Sequence, residues 1–385
     1  MKDKLSITDI KNLIQSVFSL RSEDKKLAII VDVPDEMVSD NEDWKIRREL
    51  AADWYQKLVK AKNELGLESA DLVYYPNVHS NNADLPKTAY IFQGDPIELD
   101  ASTLSSKGEV FDLEPKLAEY QIMLALTEFS ATAPLKLLSK KHGFRAATMP
   151  GFCHEMIPAL KLDYEEINRR VNEIKKYLDN ATGVDIHFST TEGKNYHIYF
   201  DLRFRTAHAS GGRFPEIGMA GNLPSGECYI VPYEGEKGEK SLSVGILPVQ
   251  FGDEIVVYQV EENVARKISS EGKKSSEEAQ KLVEEPAYGN IAEIGFGVLK
   301  DFGVQPTGEI LLDEKLGLHI AFGRSDHFGG AVGVKNFSKP GNVVHIDRIY
   351  ISETQNKIMP EKVELTFEDG RKVRVMEKGE YTIFS

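Results

Sequence analysis

Five residues in the second half of the chain have side chains that hold metals or move protons, each set in, or at the mouth of, an otherwise apolar run: Glu227 in NLPSGECYIVP, Glu293 in NIAEIGFGVL, His319 in GLHIAFG, and His345 with Asp347 in VVHIDRI. Strand side chains alternate faces, so an imidazole and a carboxylate at i and i+2 point into the same space. An ionised carboxylate is too costly to bury repeatedly without a partner, and these strands bring no matching set of Arg or Lys. A metal is the economical partner. One catalytic zinc takes about three protein ligands and keeps a position for water. Three carboxylates and two imidazoles fit two ions better, one carboxylate bridging them. The chemistry implied is hydrolysis, with a water made acidic and a carbonyl polarised.

Taken singly, each residue has a plainer reading. A lone strand histidine such as His319 is commonly a hydrogen-bonded core residue, Glu227 beside Gly226 suits a solvated turn, and an HxD pair arises readily by chance. The metal reading rests on their convergence. His187 and His197 have polar neighbours and read as surface residues, and His154 with Glu155 after MPGFC is a candidate substrate contact. Ser225, in PSGE, lies outside any nucleophile-elbow pattern, which argues against a serine hydrolase.

The elements that must position these residues change character midway. Ile7, Ile10, Leu13, Ile14, Val17 and Phe18 recur at helical spacing behind a Ser6 cap, and LAIIVDV at 27–33 follows as a buried strand. A helix opening near Asp43, strands ADLVYY and TAYIF, and a strand–turn–helix over 119–143 with Ser130 or Thr132 near its cap continue an α/β alternation. No GxGxxG or GxxxxGK[ST] pattern accompanies it. After the helix Tyr164 to Leu178 come short alternating strands between Gly-rich or charged turns, one helix from Ser275 to Glu285, and a terminal hairpin. The expectation is α/β plus β: an amino-terminal α/β domain with a mostly parallel sheet over 1–180, and a mostly β, barrel-like metal-binding domain over 181–385.

Acidic residues outnumber basic ones, 61 to 47, and no stretch gathers Lys and Arg with aromatics, so nucleic acid is not an expected partner. The start, MKDKLSITDIKNLIQSVFSL, is too polar for a signal core or a membrane span. Two cysteines, Cys153 and Cys228, cannot staple a chain of 385 residues, and a cytoplasmic location is expected.

The series NLPSGE, NIAEIGFG, DEKLGLHIAFG, a Gly-rich loop and VVHID resembles the thermophilic metalloaminopeptidase family, of the aminopeptidase T and aminopeptidase S type, and more faintly so do EFSATAP and RAATMPGF. The resemblance implies metal ligands at Glu227, Glu293, His319, His345 and Asp347, two divalent ions (Zn, Co or Mn), a homodimer, and removal of amino-terminal residues from short peptides. The family places a tyrosine shortly after the histidine of this motif; here GRSDHFGG follows, and Arg324 or His327 is expected to steady the oxyanion instead. Tyr350 is a further substitute, although alternation turns it away from His345 and Asp347. The MPGF and HID segments are also similar to the 2,5-dihydroxypyridine ring-cleaving dioxygenases, which implies, as the alternative, one Fe(II) on His319, His345 and Asp347. Retention of both Glu227 and Glu293 argues for two metals. A third reading is a metal-binding protein that has lost catalysis.

Overall fold

The run LAIIVDV becomes the strand Lys26–Val33, buried along nearly its whole length between two parallel neighbours, Ser69–Pro76 and Ile122–Ala125. A continuous apolar strand suits this place, because a central parallel strand is covered on both faces. The computed structural model describes residues 3–384, so Met1 and Lys2 of the amino-terminal stretch lie outside the described residues. Contacts divide the chain into two compact units, Met1–Asn168 with Gly212–Ser225, and Arg169–Gly211 with Gly226–Ser385.

The first unit holds a seven-stranded, mostly parallel sheet in the order Ala220–Asn222, Arg145–Thr148, Ile122–Ala125, Lys26–Val33, Ser69–Pro76, Thr88–Ile91, Glu109–Asp112. Only the last two strands pair antiparallel. The helix Ile7–Phe18 is started by Ser6 and Asp9 in a reciprocal capping box and buries Ile10, Leu13, Ile14, Val17 and Phe18. Helix Glu42–Ala61 starts from Asn41, whose side chain accepts from Trp44 N, and buries Trp44, Leu50, Ala51, Trp54 and Leu58. Helix Thr132–His142 ends at Gly143 in the left-handed conformation. Its N-cap is Ala131, so neighbours do the capping: Ser130 Oγ accepts from Thr132 N, and Asn82 Oδ1 from Ala133 N.

The second unit contains two antiparallel sheets. The larger has eight strands, in the order Val264–Ile268, Glu254–Glu261, Val244–Phe251, Asn195–Asp201, Ala181–Thr190, Ile358–Phe367, Lys372–Glu377, Glu380–Tyr381. The smaller has five: β1 (His208–Ser210), β2 (Glu227–Ile230), β3 (Ile291–Gly297), β4 (Leu318–Gly323) and β5 (His345–Ile349), in the spatial order β5-β4-β3-β2-β1. The barrel-like expectation is corrected here, since neither sheet closes among the described residues. Closure needs edge strands long enough to pair. The edges are three residues long at β1 and two at Glu380–Tyr381. One face of β4, carrying Leu318, Ile320 and Phe322, is apolar and fully buried. Phe322 lies against Tyr258 of the larger sheet, ring centroids 5.0 Å apart. No helix is long and apolar enough to cross a membrane among the described residues.

Candidate metal centre

The other face of the five-stranded sheet is where the ligand-type side chains meet. Residues directly opposite in an antiparallel pair share a face. The registers Tyr229↔His208, Tyr229↔Gly295, Gly295↔His319, Glu293↔Ala321 and Ala321↔Asp347 therefore put Glu227, Glu293, His319, His345 and Asp347 on one side. The small residues between them are room for the large ones. A Cβ at Gly295 would overlap Nε2 of His319, so glycine there lets the imidazole lie across β3 toward both glutamates.

The five residues form two groups that share one member. Glu227, Glu293 and His319 each offer a ligand atom, all within 4.8 Å of one another, and so do Glu293, His345 and Asp347. Glu293 faces both ways: Oε1 lies 3.2 Å from His319 Nε2, and Oε2 lies 3.4 Å from His345 Nε2. His319 Nε2 is also 3.4 Å from Glu227 Oε2, and His345 Nε2 is 3.7 Å from Asp347 Oδ1. The tautomers suit ligation. His345 Nδ1 donates to the Arg324 carbonyl at 2.8 Å and His319 Nδ1 to the Gly317 carbonyl at 3.2 Å, which aims both Nε2 atoms into the cluster. Glu227 Oε2 and Asp347 Oδ1 are buried with no hydrogen-bond partner. Orphaned carboxylate oxygens beside two aimed imidazoles are a donor set that fits divalent cations.

The charges say the same. Burial alone would raise Glu293, but its bonds to His319 and His345 and their charges hold it down to about 2. Burial would lower His319, yet Glu293, Glu227 and Asp347 push it up to about 10. His345 is likewise pushed up to about 9 against burial, by Glu293 and Asp347. A proton on each imidazole offsets the carboxylates, and a divalent cation offsets them in the same way.

One participant comes from outside the strands. Lys315, in the 3-10 turn Glu314–Leu316 just ahead of β4, is fully buried and donates from Nζ to Glu227 Oε1 at 2.8 Å, while also meeting Glu314. Burial would weaken its ammonium, but Glu227 and Glu314 more than offset that. The strands were expected to bring no matching set of Lys or Arg, and this one buried lysine reaches the carboxylates from the turn ahead of β4 instead. No signal marks it in DEKLGLH, where the lysine lies in the turn ahead of the strand.

The loop after β4 brings rings to the site. Phe328 and His327 have centroids 5.3 Å from the His345 ring, Tyr229 stands 4.8 Å from Phe328, and His208 stacks on Tyr229 at 5.2 Å. Sequence reasoning named His327 and missed Tyr229 and Phe328, although Tyr229 sits two residues from Glu227 on the same face. The His327 side chain is 36% exposed, and the packing around it together with the charge of His345 lowers its imidazole to about 4. The Arg324 guanidinium bonds Asp326 at 2.5 Å, and what Arg324 gives His345 is its carbonyl. Tyr350 does face away, its hydroxyl donating to the Pro248 carbonyl at 2.8 Å. His154 lies buried in the first unit, in the turn His154–Lys161.

No protein-family model matches the sequence, and no curated protein matches it. Solved structures alike in fold include two enzymes. The 2,5-dihydroxypyridine dioxygenase from Pseudomonas putida KT2440 is 15% identical with a TM-score of 0.59, covering 99% of this chain and 99% of that one. AmpT from Thermus thermophilus is 15% identical with a TM-score of 0.54, covering 98% of this chain and 99% of that one. At this identity the likeness is one of fold, and the chain has the architecture of both.

Proposed function

We propose that this protein is a metal-dependent hydrolase of the aminopeptidase type, removing amino-terminal residues from short peptides. The observation that carries the reading is Glu293, which offers one oxygen to the His319 group and the other to the His345 group. When bound, two divalent ions supply Lewis acidity toward a substrate carbonyl and lower the pKa of a water toward neutrality. The chain's own residues do the rest. Glu293 fixes the spacing of the two ends, Glu227 and Asp347 complete them, and the Gly317 and Arg324 carbonyls keep both imidazoles correctly oriented. The ring of Phe328 and the half-buried Tyr229 give an apolar wall on which the side chain next to the cleaved bond packs and from which water is excluded. His327, whose ring lies 5.3 Å from that of His345, would donate a hydrogen bond to the developing oxyanion.

The test is metal content of protein purified without chelator, followed by a short-peptide panel. About two zinc, cobalt or manganese ions per chain with amino-terminal cleavage is the expected outcome. Glu293→Gln should lower both metal content and turnover, and full activity in that variant would sink the assignment.

A second reading has its own observation. Lys315 already balances Glu227, which leaves fewer carboxylates for metal, and His319, His345 and Asp347 would then hold one Fe(II) for an oxygenase reaction on an aromatic ring, with Glu293 beside both imidazoles. About one iron per chain, with activity dependent on O₂ and lost on oxidation, would favour it.

A further inference from the structure

By ligand type the two groups are nearly equivalent: each has two carboxylates and one imidazole, and they share Glu293. Their surroundings differ. Lys315 Nζ bonds Glu227 Oε1 at 2.8 Å, and its side chain is 1% exposed. The chain makes space for it, because a Cβ at Gly297 would overlap the Lys315 backbone. Among the described residues no Lys or Arg is ion-paired to Glu293 or Asp347.

We propose that Lys315 is a resident cation that makes the two ends of the centre unequal, so that a first divalent ion is held tightly by Glu293, His345 and Asp347 while a second, at Glu227, Glu293 and His319, is held weakly. This rests on the metal-binding reading above. An ammonium on one oxygen of Glu227 draws electron density from the other, and its charge, offset only in part by Glu314 on its other side, repels a cation arriving at that end. The Glu227 group is the more deeply buried of the two, so solvent screens that repulsion less. The His345 end has no such neighbour. Lys315 is a positioning residue here: it acts on a ligand and does not touch the reacting atoms.

The experiment is titration of chelator-stripped full-length protein with Mn²⁺, following free Mn²⁺ by its paramagnetic resonance signal. Wild type is expected to take one ion tightly and a second at least about tenfold more weakly. Lys315→Met should bring the second affinity close to the first, and Lys315→Arg, which keeps the charge, should preserve the gap. Two equal affinities in wild type, or a gap that Lys315→Met leaves unchanged, would overturn the proposal. Circular dichroism reports whether Lys315→Met folds. If it does not, His319→Ala and His345→Ala decide, since the tight ion should survive the first and be lost in the second, and the reverse pattern overturns the proposal. Failure of wild type to bind Mn²⁺, Zn²⁺ or Co²⁺ at all would instead refute the metal reading itself.

Discussion

Gly295 shows how much of the centre depends on a side chain that is missing. The imidazole of His319 occupies the space a Cβ would take, so Gly295→Ala forces the ring off its path toward Glu227 and Glu293 without touching a ligand. Metal affinity should fall by about 10- to 100-fold, as for other changes that disorient a ligating histidine. Elemental analysis checks this, with circular dichroism confirming the fold. The imidazoles also set a pH dependence. His319 and His345 are raised to about 10 and 9 in the ion-free protein, above the unfolded value of about 6.5. Between those limits the folded chain binds more protons than the unfolded chain, so their stabilisation is full below about pH 6.5 and is lost as pH rises through 9 and 10. The ion-free protein should therefore melt at progressively lower temperature from pH 7 to 10. Bound metal should remove that slope, because the ion replaces the protons, and ion binding at pH 7 should release protons to the buffer. A melting temperature that does not respond to pH over this range would contradict the arrangement.

The loop after β4 is held by buried carboxylates. Glu234, its side chain 4% exposed, accepts from Ser325 Oγ at 2.5 Å, from Asn290 Nδ2 at 2.7 Å and from Ala331 N. Glu285 accepts from Ser338 N and Oγ and from Asn342 Nδ2. Removing Glu234 leaves several donors without an acceptor, at about 1–3 kcal/mol for each buried group left unpaired. Glu234→Ala should speed amide exchange over residues 325–332. It should also weaken metal binding, because the Arg324 carbonyl that orients His345 starts this loop. Unchanged exchange there would show that the loop is held by something else. None of this was legible in GRSDHFGG, since Glu234 lies far away in sequence and reads as one of many surface acids. The strands themselves were legible. Period-2 alternation put His345 and Asp347 on one face, and Ile346 between them on the other. Lys315 was not, because a cation arriving from a turn leaves no mark on the strand pattern.

All five ligand-type residues lie in the second unit, which is built from Arg169–Gly211 and Gly226–Ser385. Sequence texture gave the two architectures, a parallel sheet of long apolar strands and short antiparallel strands after the helix Tyr164–Leu178. It did not give the return of Ala220–Asn222 to the first sheet, because a three-residue strand of small side chains carries almost no pattern. The division has a thermodynamic consequence. A ligand that binds only the folded state stabilises it by an amount set by its concentration over its Kd, about 2.7 kcal/mol at a hundredfold excess. That stabilisation reaches only the parts that unfold together with the site. Divalent metal should therefore slow amide exchange in β2 through β5, where the ligand-type residues and their supports lie. The strand Lys26–Val33 of the first unit, which contributes none of the five, should exchange at an unchanged rate. Hydrogen exchange by mass spectrometry with and without metal measures both in one experiment. Equal protection of Lys26–Val33 and β4 would mean that the units unfold as one block, and protection in neither would remove the metal from the account.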